Sequence, residues 1–269
     1  DVVHWSGSVA TRIPGGRAQR ALHFHNGEEA MSLKGKRVII FGGTSGIGLA
    51  TAAMAVQAGA EVVVAGRDPD RLASALTQLA GAATGANVDA GNPAALADFF
   101  RKTGAFDHLV LSISSGGGAG PFAKLDIQGL KKPIEGKLLA QLSAAQLCLG
   151  TLATDGSITF VTAASARAAF PGTVGLAAIN GALNAAAATL ALELKPRRVN
   201  VVSPGIVETP IWNHFPEEQR RNLLEHEAQA LPVGRVGQPE EVARAIVMLM
   251  ENGFMTGAII DCDGGARVK

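Results

Sequence analysis

The 269-residue chain contains no tyrosine, so no phenol is available anywhere in it as an acid, a base or a hydrogen-bonding anchor. Cysteine is nearly as scarce. Cys148 and Cys262 lie far apart in sequence, which gives neither a disulfide framework nor the paired spacing of a zinc site and agrees with a reducing cytoplasm. No metal site is expected. An excess of either charge is also missing. Formal net charge is +1 and only 17% of residues are charged, so neither nucleic acid nor an acidic membrane is indicated as a partner. No run of ~18 apolar residues stands out, and no membrane-crossing helix is expected. What remains is an apolar chain, 47% hydrophobic, able to bury a sizeable core. Its abundant glycine and alanine suit helices packed closely on a sheet.

The length suits one large α/β domain. Residues 1–30 read differently from the rest, being rich in Gly, His and Arg without a sustained period. They are expected to be a leader, vector-derived or translated from upstream, or else an N-terminal arm that packs on a neighbouring subunit. The acidic Asp1, Glu28 and Glu29 make a poor transit peptide. The folded domain is assigned to residues 31–269.

Within it, short apolar runs alternate with helical patterns. Strands are predicted at 38–41, 61–65, 86–88, 108–113, 157–161, 198–202 and 258–262. Helices are predicted at 47–58, 69–79 with Asp68 as N-cap, 93–102, 132–149, 174–194, 216–229 and 239–250. Such alternation demands right-handed crossovers. It predicts a single doubly wound Rossmann fold, with a mostly parallel sheet of about seven strands and helices on both faces.

The first strand runs into Gly42-Gly43-Thr44-Ser45-Gly46-Ile47-Gly48 and then a helix. Glycines between a strand and a helix allow a tight turn and let the backbone approach a pyrophosphate, while the helix N-terminus supplies N–H donors. Gly42, Thr44, Ser45, Gly46 and Ile47 are therefore candidate cofactor residues. The second strand ends Ala65-Gly66-Arg67. An acid at such a strand end accepts from the ribose 2′-hydroxyl of NAD, whereas an arginine pairs with the 2′-phosphate of NADP. Arg67, with glycine before it, predicts NADP(H).

These residues, with Ser203-Pro204-Gly205-Ile206-Val207-Glu208-Thr209-Pro210, the stretch Gly234–Val242 and Asp263-Gly264-Gly265, resemble the short-chain dehydrogenase/reductase family over most of residues 35–267. The resemblance implies that Asp89 contacts the adenine, and that Pro204, Gly205, Ile206 and Thr209 line the nicotinamide, with Ile206 and Thr209 on its carboxamide. One departure is Phe41, where the family usually has threonine. The family's chemistry rests on Asn, Ser, Tyr and Lys. Anchored on Ala191-Leu192-Glu193-Leu194, the corresponding positions here are Lys137, Ala163, Leu176 and Asn180. Four coordinated changes in a well-matched scaffold suggest a repurposed pocket.

Lys137 is the first candidate for replacement acid or base, since a lysine in a partly apolar pocket has its pKa lowered; the competing reading is a snorkelling or salt-bridged helix lysine. Ser112, Ser114, Ser115, Thr162 and Ser165 are candidate substrate ligands or local backbone caps. His214 is a candidate lid residue or an exposed loop histidine. The expected function is an NADP(H)-dependent oxidoreductase with a non-standard active site. Its substrate is expected to be a small, apolar carbonyl, imine or alkene compound, since Phe122, Trp212 and Phe215 fall in the segments that shape the pocket. The alternatives are a catalytically silent NADP(H)-binding sensor or regulatory protein, and a non-redox enzyme on the same scaffold. Residues 132–149 and 174–194 are Ala- and Leu-rich on more than one face, which predicts a homodimer or homotetramer.

Overall fold

The computed structural model describes residues 32–268. The expected leader or arm at 1–30 lies outside the described residues, as do Met31 and Lys269. Seven strands form one sheet in the order β3-β2-β1-β4-β5-β6-β7, and all of its pairings are parallel. The strands are β1 (Arg37–Phe41), β2 (Glu61–Gly66), β3 (Ala83–Asn87), β4 (Phe106–Leu111), β5 (Leu152–Val161), β6 (Arg198–Pro204) and β7 (Ile259–Cys262). The doubly wound expectation holds. Chain order reverses between β1 and β4, which opens a crevice beyond the carboxyl ends of those strands, where ligands bind in open α/β sheets.

One apolar layer packs helices α1 (Gly46–Gln57), α2 (Pro69–Gln78) and α8 (Pro239–Glu251) against the sheet, with Val38, Ile40, Val64, Val110 and Val202 at its centre. The other packs α3 (Pro93–Thr103), α5 (Ala140–Leu147) and α6 (Val174–Glu193) on Ile39, Leu109, Leu111, Ile158 and Phe160. Phe41, the departure noted at the first strand, belongs to this second layer. It is buried and meets Phe99 and Phe100 with ring centroids 5.5 and 5.9 Å apart. A hydrophobic anchor thus replaces a small polar residue there.

Several boundaries differ from the sequence reading: the fifth strand begins at Leu152 rather than 157, and the sixth runs on to Pro204 rather than 202. The third strand starts earlier, at Ala83, because it is an edge strand whose exposed Thr84 and Gly85 carry no apolar signal. The fourth is Phe106–Leu111 rather than 108–113, and the chain leaves the sheet at Ser112. The continuous helix expected over 132–149 is broken into a single turn α4 (Lys131–Pro133), a π-turn (Ile134–Leu139), α5 and a tight 3₁₀ turn (Cys148–Gly150). Pro133 brings no N–H and Gly136 brings low helix propensity, so the start of this segment is poorly held in α geometry.

α6 corrects another expectation. It is long and apolar enough, by length and composition, to cross a membrane. In the fold its inner residues Leu183, Ala187 and Ala191 are buried in the core layer.

Candidate functional site

β1 carries the glycine turn to the crevice. Gly42 has φ +75°, and a Cβ there would overlap the Ser112 carbonyl at the end of β4. A Cβ on Gly48 would overlap the Gly42 carbonyl. Both positions demand glycine, which brings the first turn of α1 against the carboxyl end of β1 with its backbone N–H groups uncovered. Ser45 stands at the N-cap of α1 in extended geometry, and its side chain makes no capping bond. Thr209 closes the turn from the other side: a Cβ on Gly46 would lie 3.1 Å from its methyl. The glycine turn and the proline–glycine loop therefore face each other across the crevice.

Pro204 ends β6. Gly205 N donates to the Cys262 carbonyl at 3.0 Å, and a Cβ on Gly205 would crowd the Asp263 backbone at 2.7 Å. Ile206 follows, its carbonyl accepting from Gly237 N at 2.9 Å. This ties the loop to the segment that starts α8. Glu241 closes a capping box on that helix and pairs with Arg235, which holds its carboxyl down to about 2. At the far end of the crevice Asp89 is exposed beyond β3 and accepts from Gly91 N at 2.9 Å. Arg67 is exposed just past β2, and among the described residues it has no hydrogen bond or ion pair. A nearby residue went unnoticed in the sequence. Arg71, in the first turn of α2, donates from Nη2 to Ser45 Oγ at 2.7 Å. Its signal was its spacing of one helical turn after Arg67, behind the Asp68 cap.

The other side of the crevice lies over the ends of β4 and β5. Lys137 reaches there from the π-turn, and its Nζ donates to the Thr162 carbonyl at 3.3 Å. Its stem keeps some exposure, but its ammonium is deep, and burial brings its pKa down to about 8. No carboxylate pairs with it among the described residues. One turn on, buried Gln141 donates to the Ile113 carbonyl at 3.0 Å while its Oε1 stays without a partner. Asn180 spends its amide on Ser165 Oγ (3.3 Å) and the Leu176 carbonyl (2.9 Å), leaving its Oδ1 buried and unpartnered. Thr162 Oγ1 is likewise unpartnered. Ala163 begins the turn after β5, and Leu176 is half-buried near the start of α6. An unpartnered buried acceptor costs ~1–3 kcal/mol, which a donor brought to it would recover.

The remaining sequence candidates divide. Ser165 is joined to Asn180, and Gly136 packs on Ser115: a Cβ on that glycine would lie 2.7 Å from the hydroxyl. Ser112, Ser114 and Ser115 follow β4 over the crevice. His214 is exposed, bonded through Nδ1 to the Ile211 carbonyl at 2.7 Å and set against Phe215 at 4.0 Å. Trp212 anchors that loop by donating to the Val207 carbonyl at 2.8 Å.

A parallel sheet with a glycine cradle at its switch point defines a dinucleotide-binding α/β protein. Comparison with known proteins narrows that class. A family model described as "Enoyl-(Acyl carrier protein) reductase" matches residues 42–267. A short-chain dehydrogenase/reductase, ATR9, of Stachybotrys chlorohalonatus is 33% identical over 88% of this chain and 99% of its own. A solved small-chain dehydrogenase in complex with NADPH is 31% identical, with a TM-score of 0.77 over 87% of this chain and 99% of its own. The MalC Reductase/Diels-Alderase of Malbranchea aurantiaca is 26% identical, with a TM-score of 0.81 over 88% and 98%. The chain belongs to the short-chain dehydrogenase/reductase family, a family of oxidoreductases.

Proposed function

We propose that this protein is an NADP(H)-dependent oxidoreductase with a non-standard active site. It reduces a small, apolar carbonyl, imine or alkene compound, with Lys137 as its proton donor. The observation that carries this reading is the Lys137 ammonium: deep at the carboxyl end of β5, paired with no carboxylate among the described residues, with its pKa lowered to about 8. Such a group is mostly protonated at neutral pH yet is a far stronger acid than free lysine, as a general acid needs to be. Bound NADPH supplies the hydride. Lys137 Nζ gives its proton to the atom of the substrate that gains negative charge, and is recharged from solvent. Asn180 Oδ1 and Gln141 Oε1 orient donors of the substrate or of the cofactor ribose.

Arg67, free beside Gly66, supports NADP over NAD. The NADPH found with one solved relative agrees with this. A relative described as both reductase and Diels-Alderase agrees with a pocket of this scaffold serving an unusual substrate. The apolar outer face of α6 supports a homodimer or homotetramer, and two free cysteines support a cytoplasmic setting. An apolar Leu176, in a chain without tyrosine, favours the competing reading of a silent NADP(H)-binding sensor.

The test is NADPH consumption by the full chain against a panel of cyclic imines, enones and aryl ketones. Turnover is expected with at least one class. Lys137→Met should lower kcat by ~100-fold or more while leaving NADPH affinity within ~2-fold. NADPH binding with no turnover on any class favours the silent sensor.

A further inference from the structure

The end of β2 is closed to an acid. A Cβ on Gly66 would lie 2.6 Å from the Thr44 methyl, so an aspartate or glutamate cannot stand there unless Thr44 moves. The place from which a carboxylate would reach a ribose 2′-hydroxyl is taken by the glycine turn itself. Beside it, the same turn holds a cation. Ser45 leaves α1 uncapped by its side chain and instead accepts from Arg71 Nη2 at 2.7 Å. Arg71 is fixed at its own backbone as well, its N–H donating to Asp68 Oδ1 at 3.0 Å. That carboxylate oxygen also accepts from Asp70 N, so it serves the start of α2 rather than pairing with a guanidinium. Thr44 and Ser45 thus exclude an acid and seat an arginine at adjacent positions, with Arg67 exposed next to them.

We propose that Arg71, seated by Ser45, is a second ligand of the cofactor's 2′-phosphate beside Arg67, and that Thr44 keeps the site from accepting the NAD-type acid. This rests on the NADP(H) reading. A phosphate dianion offers three acceptor oxygens, more than one guanidinium fork satisfies. With one Nη2 hydrogen given to Ser45 Oγ, Arg71 is held in a fixed orientation and keeps its other guanidinium edge for phosphate oxygens, so less rotamer freedom is lost on binding.

Calorimetric titration of the full chain with 2′,5′-ADP and with 5′-ADP separates the 2′-phosphate from the rest of the nucleotide. Arg71→Ala should weaken 2′,5′-ADP by ~10-fold or more and leave 5′-ADP within ~2-fold, which also shows that the variant is folded. Ser45→Ala should act in the same direction by a smaller factor, and Arg71→Lys should recover part of the loss. Gly66→Asp should gain 5′-ADP affinity only when combined with Thr44→Gly. An Arg71→Ala variant that loses both nucleotides equally, or neither, overturns the proposal. If Arg67→Ala removes the preference for 2′,5′-ADP while Arg71→Ala keeps it, the NADP(H) reading stands and the role of Arg71 falls. A wild-type chain that prefers 5′-ADP overturns both.

Discussion

Burial costs an ammonium more than an amine, and at Lys137 no carboxylate among the described residues offsets that cost. The lowered pKa fixes the direction of the pH dependence. As proton donor, Lys137 predicts a reduction rate that is level below about 8 and falls as pH rises through that value. The measurement is the pH profile of kcat with the responsive substrate; a rate that climbs through pH 8 contradicts the assignment. His108 behaves differently. It is buried on β4, bonded through Nδ1 to Ser157 Oγ at 2.8 Å, and lies among Arg198, Asp107, Lys36 and Asp155. Burial, aided by Arg198, lowers its pKa to about 4. Since the unfolded chain takes up this proton first, near 6.5, His108 stabilises the fold fully above that pH. The contribution is lost as pH falls toward 4, and is worth up to about 3 kcal/mol. Urea midpoints between pH 7 and 5 should therefore fall less for His108→Gln than for the wild type. Equal slopes would show that His108 does not carry this effect. Of these residues, Lys137 was legible because it stood where the family has another residue. Asn180 was legible on the same ground, but Gln141 was not, and neither was the lack of a donor to either side-chain oxygen, because sequence does not say which buried acceptor goes unpaired.

Between elements, glycine pairs set the spacing around the pocket. Gly120 N donates to the Gly172 carbonyl at 2.7 Å, and a Cβ on Gly175 would lie 2.7 Å from both the Gly118 carbonyl and a Leu130 methyl. The loop after β4 is thereby pressed onto the first turn of α6. Gly175→Ala should force that backbone apart and destabilise the protein by ~1–3 kcal/mol, seen as a lowered Tm with faster proteolysis at 113–130. An unchanged Tm and cleavage pattern would show that the contact yields freely. Regular elements with caps, such as α2 behind Asp68, were readable to within a residue or two. The π-turn around Lys137 was not, since local propensity marks a weak helix there without saying which weaker geometry packing selects.

For the molecule as a whole, alternating strands and helices were enough to specify a parallel sheet with two covered faces, because few topologies satisfy right-handed crossovers. What sequence periodicity blurred was the outer side of α6. Val174, Ala178, Ala182, Ala185 and Leu192 are exposed there in one small-residue apolar stripe, with Leu139 exposed beside the π-turn. The proposed dimer or tetramer buries that stripe. Ala185→Glu should then give a monomer by sedimentation at micromolar concentration, whereas a wild-type monomer contradicts the assembly. The account's central claim concerns the cofactor, and fluorescence titration of the full chain with NADPH and with NADH tests it most directly. It predicts saturable NADPH binding and an NADH affinity ~10-fold or more weaker. Equal or tighter NADH binding, or none for either nucleotide, would contradict it.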